Sequence, residues 1–250
     1  SMALGHCVCD PRKPCPCPLF RDRGICECAG ERLPVPDGPV RLTAHVRNVG
    51  CASKIGKKDL REALAGLPEI ADPRVLVGAS AGDDAGVVLL AKDLAAVLTV
   101  DVFTPLVDDP YTFGQIAAAN SVSDIYAMAA TPVTALSVVG FPVHALPLSA
   151  LHDMLRGGVD KMAEAGVSVV GGHSLNDEEV KCGFAVVGTA PHQRFIANAG
   201  ARPGDVLVLT KPLGVGLVAF ARQIGRASDA AMAEIAASMI CLGVVKSGSP

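Results

Sequence analysis

Apolar residues recur along the chain in two rhythms, and the changes of rhythm mark its elements. Leu60, Leu64 and Leu67 fall on one face of a helix predicted over 57–67. Two apolar, partly β-branched runs follow, 85–90 and 95–100, bounded by Gly82 and Asp101, and these read as strands. Residues 113–130, rich in small side chains, predict a long helix. A strand over 135–141, a helix over 149–165 ended by Gly166, and strands over 167–170 and 183–189 come next. Beyond them DVLVLT (205–210) predicts the start of another strand, 227–242 a helix, and 246–250 a disordered tail. No internal repeat is visible.

Residues 1–40 follow neither rhythm. Pro11, Pro14, Pro16, Pro18, Pro34, Pro36 and Pro39 interrupt any helix there. A stretch of this kind cannot bury enough apolar surface by itself, so a bound metal is the expected source of its order. Three sections result: a cysteine-rich head over 1–40, a mixed helix-and-strand domain over 41–198, and the start of a further domain over 199–250.

Composition narrows the class. Of the 250 residues, 50% are hydrophobic and 19% charged, which supplies a sizeable core. A net charge of -3 argues against a nucleic-acid partner, which calls for a basic face. No apolar run reaches the roughly 18 residues needed to cross a bilayer. The N-terminal residues lack the charged, apolar and cleavage regions of a signal peptide, so a cytoplasmic protein with no membrane partner is expected. Six of the nine cysteines crowd into residues 7–28. A secreted disulfide scaffold would spread its pairs through the fold, so the cluster points to a metal or redox site in a reducing compartment. It reads C-V-C (7–9), C-P-C (15–17) and C-E-C (26–28). Thiolates suit zinc or an iron–sulfur cluster, six exceed one tetrahedral site, and free thiols are the third reading.

The acidic residues lie where elements begin and end. Asp83 and Asp84 precede a strand, Asp101 follows one, Asp108 and Asp109 occupy the next loop, and Asp124 falls inside the long helix. Magnesium binds carboxylate and phosphate oxygens together, and several aspartates from separate elements are what a nucleotide–magnesium site requires. Asp83 and Asp109 read equally as turn residues. Asp124 does not, because a carboxylate in an apolar helix calls for a cation or partner. The run Gly171-Gly172-His173-Ser174 is expected directly after the strand 167–170. There its glycines would admit a phosphate to the backbone N–H groups, or make a plain tight turn. Thr210 to Gly214 (TKPLG) reads as a strand-to-loop turn carrying a cation, without the order of a P-loop.

In order, GDDAGV (82–87), TVDVFTP (99–105), VDDPYTFGQIAAANSVSDIYAM (107–128), GGHS (171–174) and ARPGDVLVLTKPLG (201–214) resemble selenophosphate synthetase, that is, selenide, water dikinase. This family belongs to the PurM-like superfamily of aminoimidazole ribonucleotide synthetase. The resemblance covers about residues 41–245 and implies an α+β fold. Its N-terminal ATP-binding domain would have a mixed sheet with helices, joined to a second copy as a dimeric barrel, and the C-terminal domain would be incomplete. It implies formation of selenophosphate from ATP, selenide and water, with release of AMP and phosphate. By resemblance, Asp84, Asp101 and Asp124 are Mg2+ ligands, Asn120 binds nucleotide, and Gly171, Gly172, His173 and Ser174 form a phosphate-side loop. In GCASK (50–54), Cys51 resembles the catalytic cysteine and Lys54 the essential lysine. Ser53 stands where many members carry a second cysteine, and Ala129-Ala130 where the family usually has Gly-Gly.

The string CPCPLFRDRGICEC (15–28) also resembles the catalytic subunit of ferredoxin:thioredoxin reductase. That resemblance implies a [4Fe-4S] cluster on Cys7, Cys15, Cys17 and Cys26, with Cys9 and Cys28 as a redox pair. Zn2+ on the same thiols is the competing assignment. The partners so implied are selenide, ATP, a second copy of the chain, and a selenium donor or redox protein. A redox-adapted relative on a nucleotide-binding scaffold is the alternative.

Overall fold

Alternation of apolar side chains in the middle of the chain produces one six-stranded sheet. Its strands are β1 (Val75–Val77), β2 (Gly86–Ala91), β3 (Leu94–Phe103), β4 (Thr131–Phe141), β5 (Ser168–Asn176) and β6 (Lys181–Pro191), in the order β1-β2-β3-β6-β4-β5. The computed structural model describes residues 38–68 and 71–243, with Phe20, Arg21 and Gly24. The six cysteines expected to form the metal head, and the tail expected over 246–250, lie outside the described residues. Among the described residues five α-helices of two turns or more accompany the sheet: α1 (Lys57–Leu64), α2 (Pro110–Ala127), α3 (Leu148–Glu164), α4 (Val215–Gln223) and α5 (Asp229–Ile240). The outcome is the α+β fold expected, a mixed sheet with helices.

Pairing is antiparallel except between β4 and β5, which run parallel because α3 carries the chain from one to the other. β3 and β6 pair without a register shift from Leu94↔Pro191 to Phe103↔Cys182 and form the spine of the sheet. Along β3, Val97, Thr99, Asp101 and Phe103 point to the face covered by α2, as their contacts with it require. The intervening Leu98 and Val100 point to the opposite face.

α2 is apolar on nearly every side, with Phe113, Ile116, Ala117, Ala118, Val122 and Ile125 all buried. Pro110 opens it, and Asp109 caps it by accepting from the Thr112 N–H at 2.8 Å. This cap starts the helix three residues ahead of the 113 that small-residue content alone suggests. Phe113 meets Phe103 edge-on, with ring centroids 5.8 Å apart. α2 also lies against α3 at backbone contact. A Cβ on Gly114 would stand 1.9 Å from the Met154 carbonyl oxygen, and one on Gly157 would stand 2.0 Å from that of Tyr111. Only glycine allows two helices so close.

Three expectations are corrected. The predicted strand 205–210 does not form; Val206 and Leu207 are 84% and 94% exposed, and no other strand pairs with them among the described residues. Its apolar pattern is real, but a strand needs a neighbour for its backbone groups. Gly171 to Ser174 lie inside β5, not in a loop after it, because pairing with β4 continues to Asn176. β1 and α4 were not anticipated from the apolar pattern.

The end of α2 carries a strain. Ala129 has φ of 53°, in the left-handed region, where it donates to the Tyr126 carbonyl at 2.9 Å while Ala130 donates to that of Ile125. An L residue with a Cβ there costs about 1–2 kcal/mol relative to glycine. Ala129→Gly is therefore expected to raise the thermal midpoint by about 2–4 °C per kcal/mol recovered, read by a thermal melt.

Candidate functional site

The candidate site lies where the C-terminal half of β3 passes beneath the middle of α2. The alternation that exposes one face of β3 to α2 places Thr99 and Asp101 two residues apart on that face. On α2, Asn120 and Asp124 are four residues apart and lie one turn above each other. The result is two matched pairs. Asn120 Nδ2 donates to Asp101 Oδ2, and Thr99 Oγ1 donates to Asp124 Oδ2 at 2.7 Å. Between them Ser121, fully buried, anchors α2 to two strands. Its Oγ lies within bonding reach of the Ala117 and Asp101 carbonyls, at 2.9 and 3.1 Å, and accepts from the Phe184 N–H at 3.2 Å.

A second segment brings the cation. Gly50 bridges Thr104 at the end of β3, its N–H donating to the Thr104 carbonyl at 3.1 Å. Gly50 does this with φ of 57°, a conformation that suits glycine. The buried Thr104 hydroxyl donates back to the Asn48 carbonyl. Cys51, Ala52 and Ser53 then form a single tight turn, with Ser53 Oγ donating to the Gly50 carbonyl at 2.8 Å. The turn delivers Lys54 onto Asp101 as an ion pair. Cys51 is exposed beside it as a free thiol.

Asp101 is thus held from two directions, by an ammonium and an amide. Burial alone would lower the Lys54 pKa, but the hydrogen bond and charge of Asp101 outweigh it, helped by Cys51 and Asp124, and Lys54 is held above its ordinary value. For Asp124 the shift is also upward. Burial is the main cause, the Thr99 hydrogen bond opposes it, and the like charges of Asp101 and Asp84 add to it. Asp84 is exposed and carries its charge into the same field. Asp83 instead holds the backbone together, its carboxylate accepting from the N–H groups of Asp84 and Asn198 at 2.9 Å each. Asp108 accepts from the Thr43 N–H and hydroxyl and faces Arg41, tying the chain before Cys51 to the loop before α2.

Cys51, Lys54, Asp101, Asn120 and Asp124, chosen from sequence, are therefore one neighbourhood, with Asp84 within electrostatic reach. Gly171, Gly172, His173 and Ser174 do not join it directly. Through the register Asp101↔Phe184, Phe184↔Ser137 and Ser137↔Gly172, Gly172 stands three strand steps from Asp101, or about 14 Å. Thr99 and Ser121 were missed. Thr99 was legible as the residue two before Asp101 on a strand. Ser121 had no such signal, because its partners come from two strands distant in sequence.

Three carboxylates against one lysine leave the cluster short of positive charge. Among the described residues no three His, Cys, Asp or Glu side chains converge closely enough to enclose a metal ion. The electrostatics have a measurable consequence. Folding favours the neutral form of Asp124, a benefit complete below the ordinary value of 3.8 and lost as pH rises through the raised value. Asp124→Asn keeps a group that accepts from Thr99 and removes the ionised state. In chelator it is expected to melt above the wild type at neutral pH, with the difference shrinking as pH falls; a wild type that melts higher at neutral pH would contradict this assignment.

Comparison with known proteins shows what this geometry is similar to. Residues 82–190 match the model described as AIR synthase related protein, N-terminal domain. Over 193 residues the chain is 49% identical to the selenide, water dikinase of Pelobacter propionicus, covering 77% of this chain and 56% of that protein. It is 50% identical over 179 residues to selenide, water dikinase 2 of Peptoclostridium acidaminophilum, covering 72% and 51%. The chain therefore spans about half the length of the curated relatives it matches. A crystal structure of tt0281 from Thermus thermophilus shares the fold, with a TM-score of 0.55 and 23% identity over 74% of this chain and 60% of that one. Sequence identity near one half, carried across the strand and helix that build the carboxylate cluster, makes the chain similar to selenide, water dikinases over the part of them that it spans.

Proposed function

We propose that the protein makes selenophosphate from ATP, selenide and water, releasing AMP and phosphate. The observation that carries this reading is the exposed Cys51 thiol on the same turn as Lys54, whose ammonium meets a cluster of aspartates. A kinase acting on an oxygen nucleophile has no need of a thiol at the mouth of its nucleotide site. A protein that handles selenide does, because a thiolate can position or carry a soft chalcogen.

Each residue then has a role. Lys54 exchanges part of its contact with Asp101 for a phosphate oxygen of ATP, keeping the cation where negative charge accumulates. Asn120 orients the nucleotide while holding Asp101. Asp101 and Asp124 would offer carboxylates to Mg2+, with Asp84 adding its charge to the same field, and the bound ion would neutralise the triphosphate and the cluster together. Thr99 keeps the Asp124 carboxylate aimed at that position. Ser53, in place of a second thiol, holds the turn through the Gly50 carbonyl, so the chalcogen chemistry at this loop falls to Cys51 alone.

Gly171 to Ser174 act from a second copy of the chain. Among the described residues the sheet face opposite α2 is apolar and uncovered: Leu98, Val100, Leu136 and Leu175 are 42%, 63%, 47% and 54% exposed. Val100 and Leu136 both pair with Ala185, so they share this face, and His173 shares it by pairing with Val138. A patch of this kind calls for a partner sheet. A two-fold barrel would bring His173 of one copy towards the sites of the other. The cysteine-rich head would hold a [4Fe-4S] cluster or Zn2+ through Cys7, Cys15, Cys17 and Cys26, with Cys9 and Cys28 as a redox pair. A broad visible absorption band after anaerobic purification would favour the cluster.

Two experiments test the reading. With selenide and Mg2+, ATP is expected to yield AMP, and Cys51→Ala is expected to lower that rate by about 100-fold or more, as loss of an activated nucleophile does; AMP formation that ignores both selenide and Cys51 would sink the assignment. Val100→Asp, at the centre of the bare face, is expected to turn a dimer into a monomer in light scattering.

A further inference from the structure

The turn TKPLG carries a lysine that the cluster does not use. Lys211 reaches the C-terminal end of α5, where its ammonium donates to the Ser238 carbonyl at 3.1 Å and the Cys241 carbonyl at 2.6 Å. A cation is favoured there by the negative end of the helix dipole. Among the described residues no carboxylate lies within ion-pair distance of it, so its charge meets only backbone dipoles. An ammonium has three donors, and one remains.

The surroundings of that ammonium give it a second direction. Lys211 lines a pocket of about 160 Å3 whose opposite wall is α2, presenting Asn120 and Ser123, with Ser238 and Met239 of α5 closing it. Asn120 is the residue whose amide grips Asp101. Lys54 and Lys211 therefore approach Asn120 by separate routes, one through Asp101 and one across the pocket. Gly214, with φ of 109°, ends the turn and opens α4, which fixes where Lys211 can reach.

Charge balance decides what such a lysine could serve. Asp84, Asp101 and Asp124 outnumber Lys54, and a nucleoside triphosphate adds about four further negative charges. A second protein cation aimed at the same ligand lowers that load without reordering the carboxylates. We propose that Lys211 is the second cation of the nucleotide site: a ligand seated on Asn120 takes the free donor of Lys211 with a phosphate oxygen, and α5 is drawn to the site through the two carbonyls Lys211 already holds. This rests on the ATP reading above and extends it to the C-terminal helices.

The test compares Mg–AMP-PNP with adenosine by calorimetry on the 250-residue chain. Lys211→Gln keeps an N–H donor for the α5 carbonyls and loses the charge. It is expected to weaken Mg–AMP-PNP by roughly tenfold, which is about 1.4 kcal/mol, and to leave adenosine unchanged. Lys211→Arg is expected to restore most of the affinity. Ser123→Glu, an exposed change on the facing wall, sets a carboxylate opposite Lys211 and is expected to show the same selective loss should Lys211→Gln fail to fold. Equal loss for both ligands makes Lys211 a helix cap only, and no loss removes it from the site; either result overturns the proposal. A wild type that binds neither ligand overturns the ATP reading itself, which separates the two failures.

Discussion

The closeness of α2 to its neighbours is the constraint on which the rest depends. Gly114 and Gly157 let α2 and α3 touch backbone to backbone, and the alanines of α2 let it settle onto the sheet. Side chains as short as Asn120 and Asp124 reach β3 only because of that approach. A helix standing one methyl further out would leave Asp101 to Lys54 alone and Thr99 without a partner. Ser121 makes the same point from inside: a serine hydroxyl spans from α2 to β3 and β6 only at this separation. Packing and site are one feature here.

Electrostatics then acts on what packing has set. A carboxylate on an apolar helix would ordinarily be paired with a cation, yet among the described residues the side-chain hydrogen bond to Asp124 comes from the Thr99 hydroxyl, while the ammonium of Lys54 pairs with Asp101 and reaches Asp124 only through its charge. The cluster is an arrangement that costs folding energy, and strain of this kind is characteristic of sites that await a charged ligand. Stability and function pull in opposite directions at Asp124, whereas at Ala129 the strain has no such compensation in the described contacts.

Much of this was legible from sequence, and the exceptions have physical causes. The carboxylates could be picked out because each broke a local pattern: Asp101 ends an apolar run, and Asp124 interrupts an apolar helix. Cys51 and Lys54 stood out through family likeness, not through any periodicity. Ser121 was invisible, since buried serine is common in small-residue helices and its partners lie 20 and 63 residues away. The segment 205–210 misled for the opposite reason. Its apolar run is that of a strand, but local pattern cannot report whether a neighbouring strand exists to complete it. Gly171 to Ser174 misled because glycine pairs usually end strands, whereas here Gly172 packs against Ser137, where a Cβ would meet its carbonyl oxygen at 2.5 Å.

The distribution of uncovered apolar surface carries the last step. Among the described residues, two of the regions that leave large side chains in solvent are the sheet face of Leu98 and Val100 and the stretch from Val206 to Leu217. They adjoin the carboxylate cluster through different elements, β3 in one case and the Lys211 turn in the other. A site placed between two such surfaces is completed from both directions by whatever covers them. β3 links the first directly, because Val100 and Asp101 are adjacent residues on opposite faces of one strand. A sheet packed on Val100 would stiffen the strand that aims Asp101, so such an association would be coupled to the geometry of the cluster through a single backbone. On the other side Lys211 joins the end of α5 to the pocket that Asn120 lines, so under the proposal above Asn120 is where both links would meet.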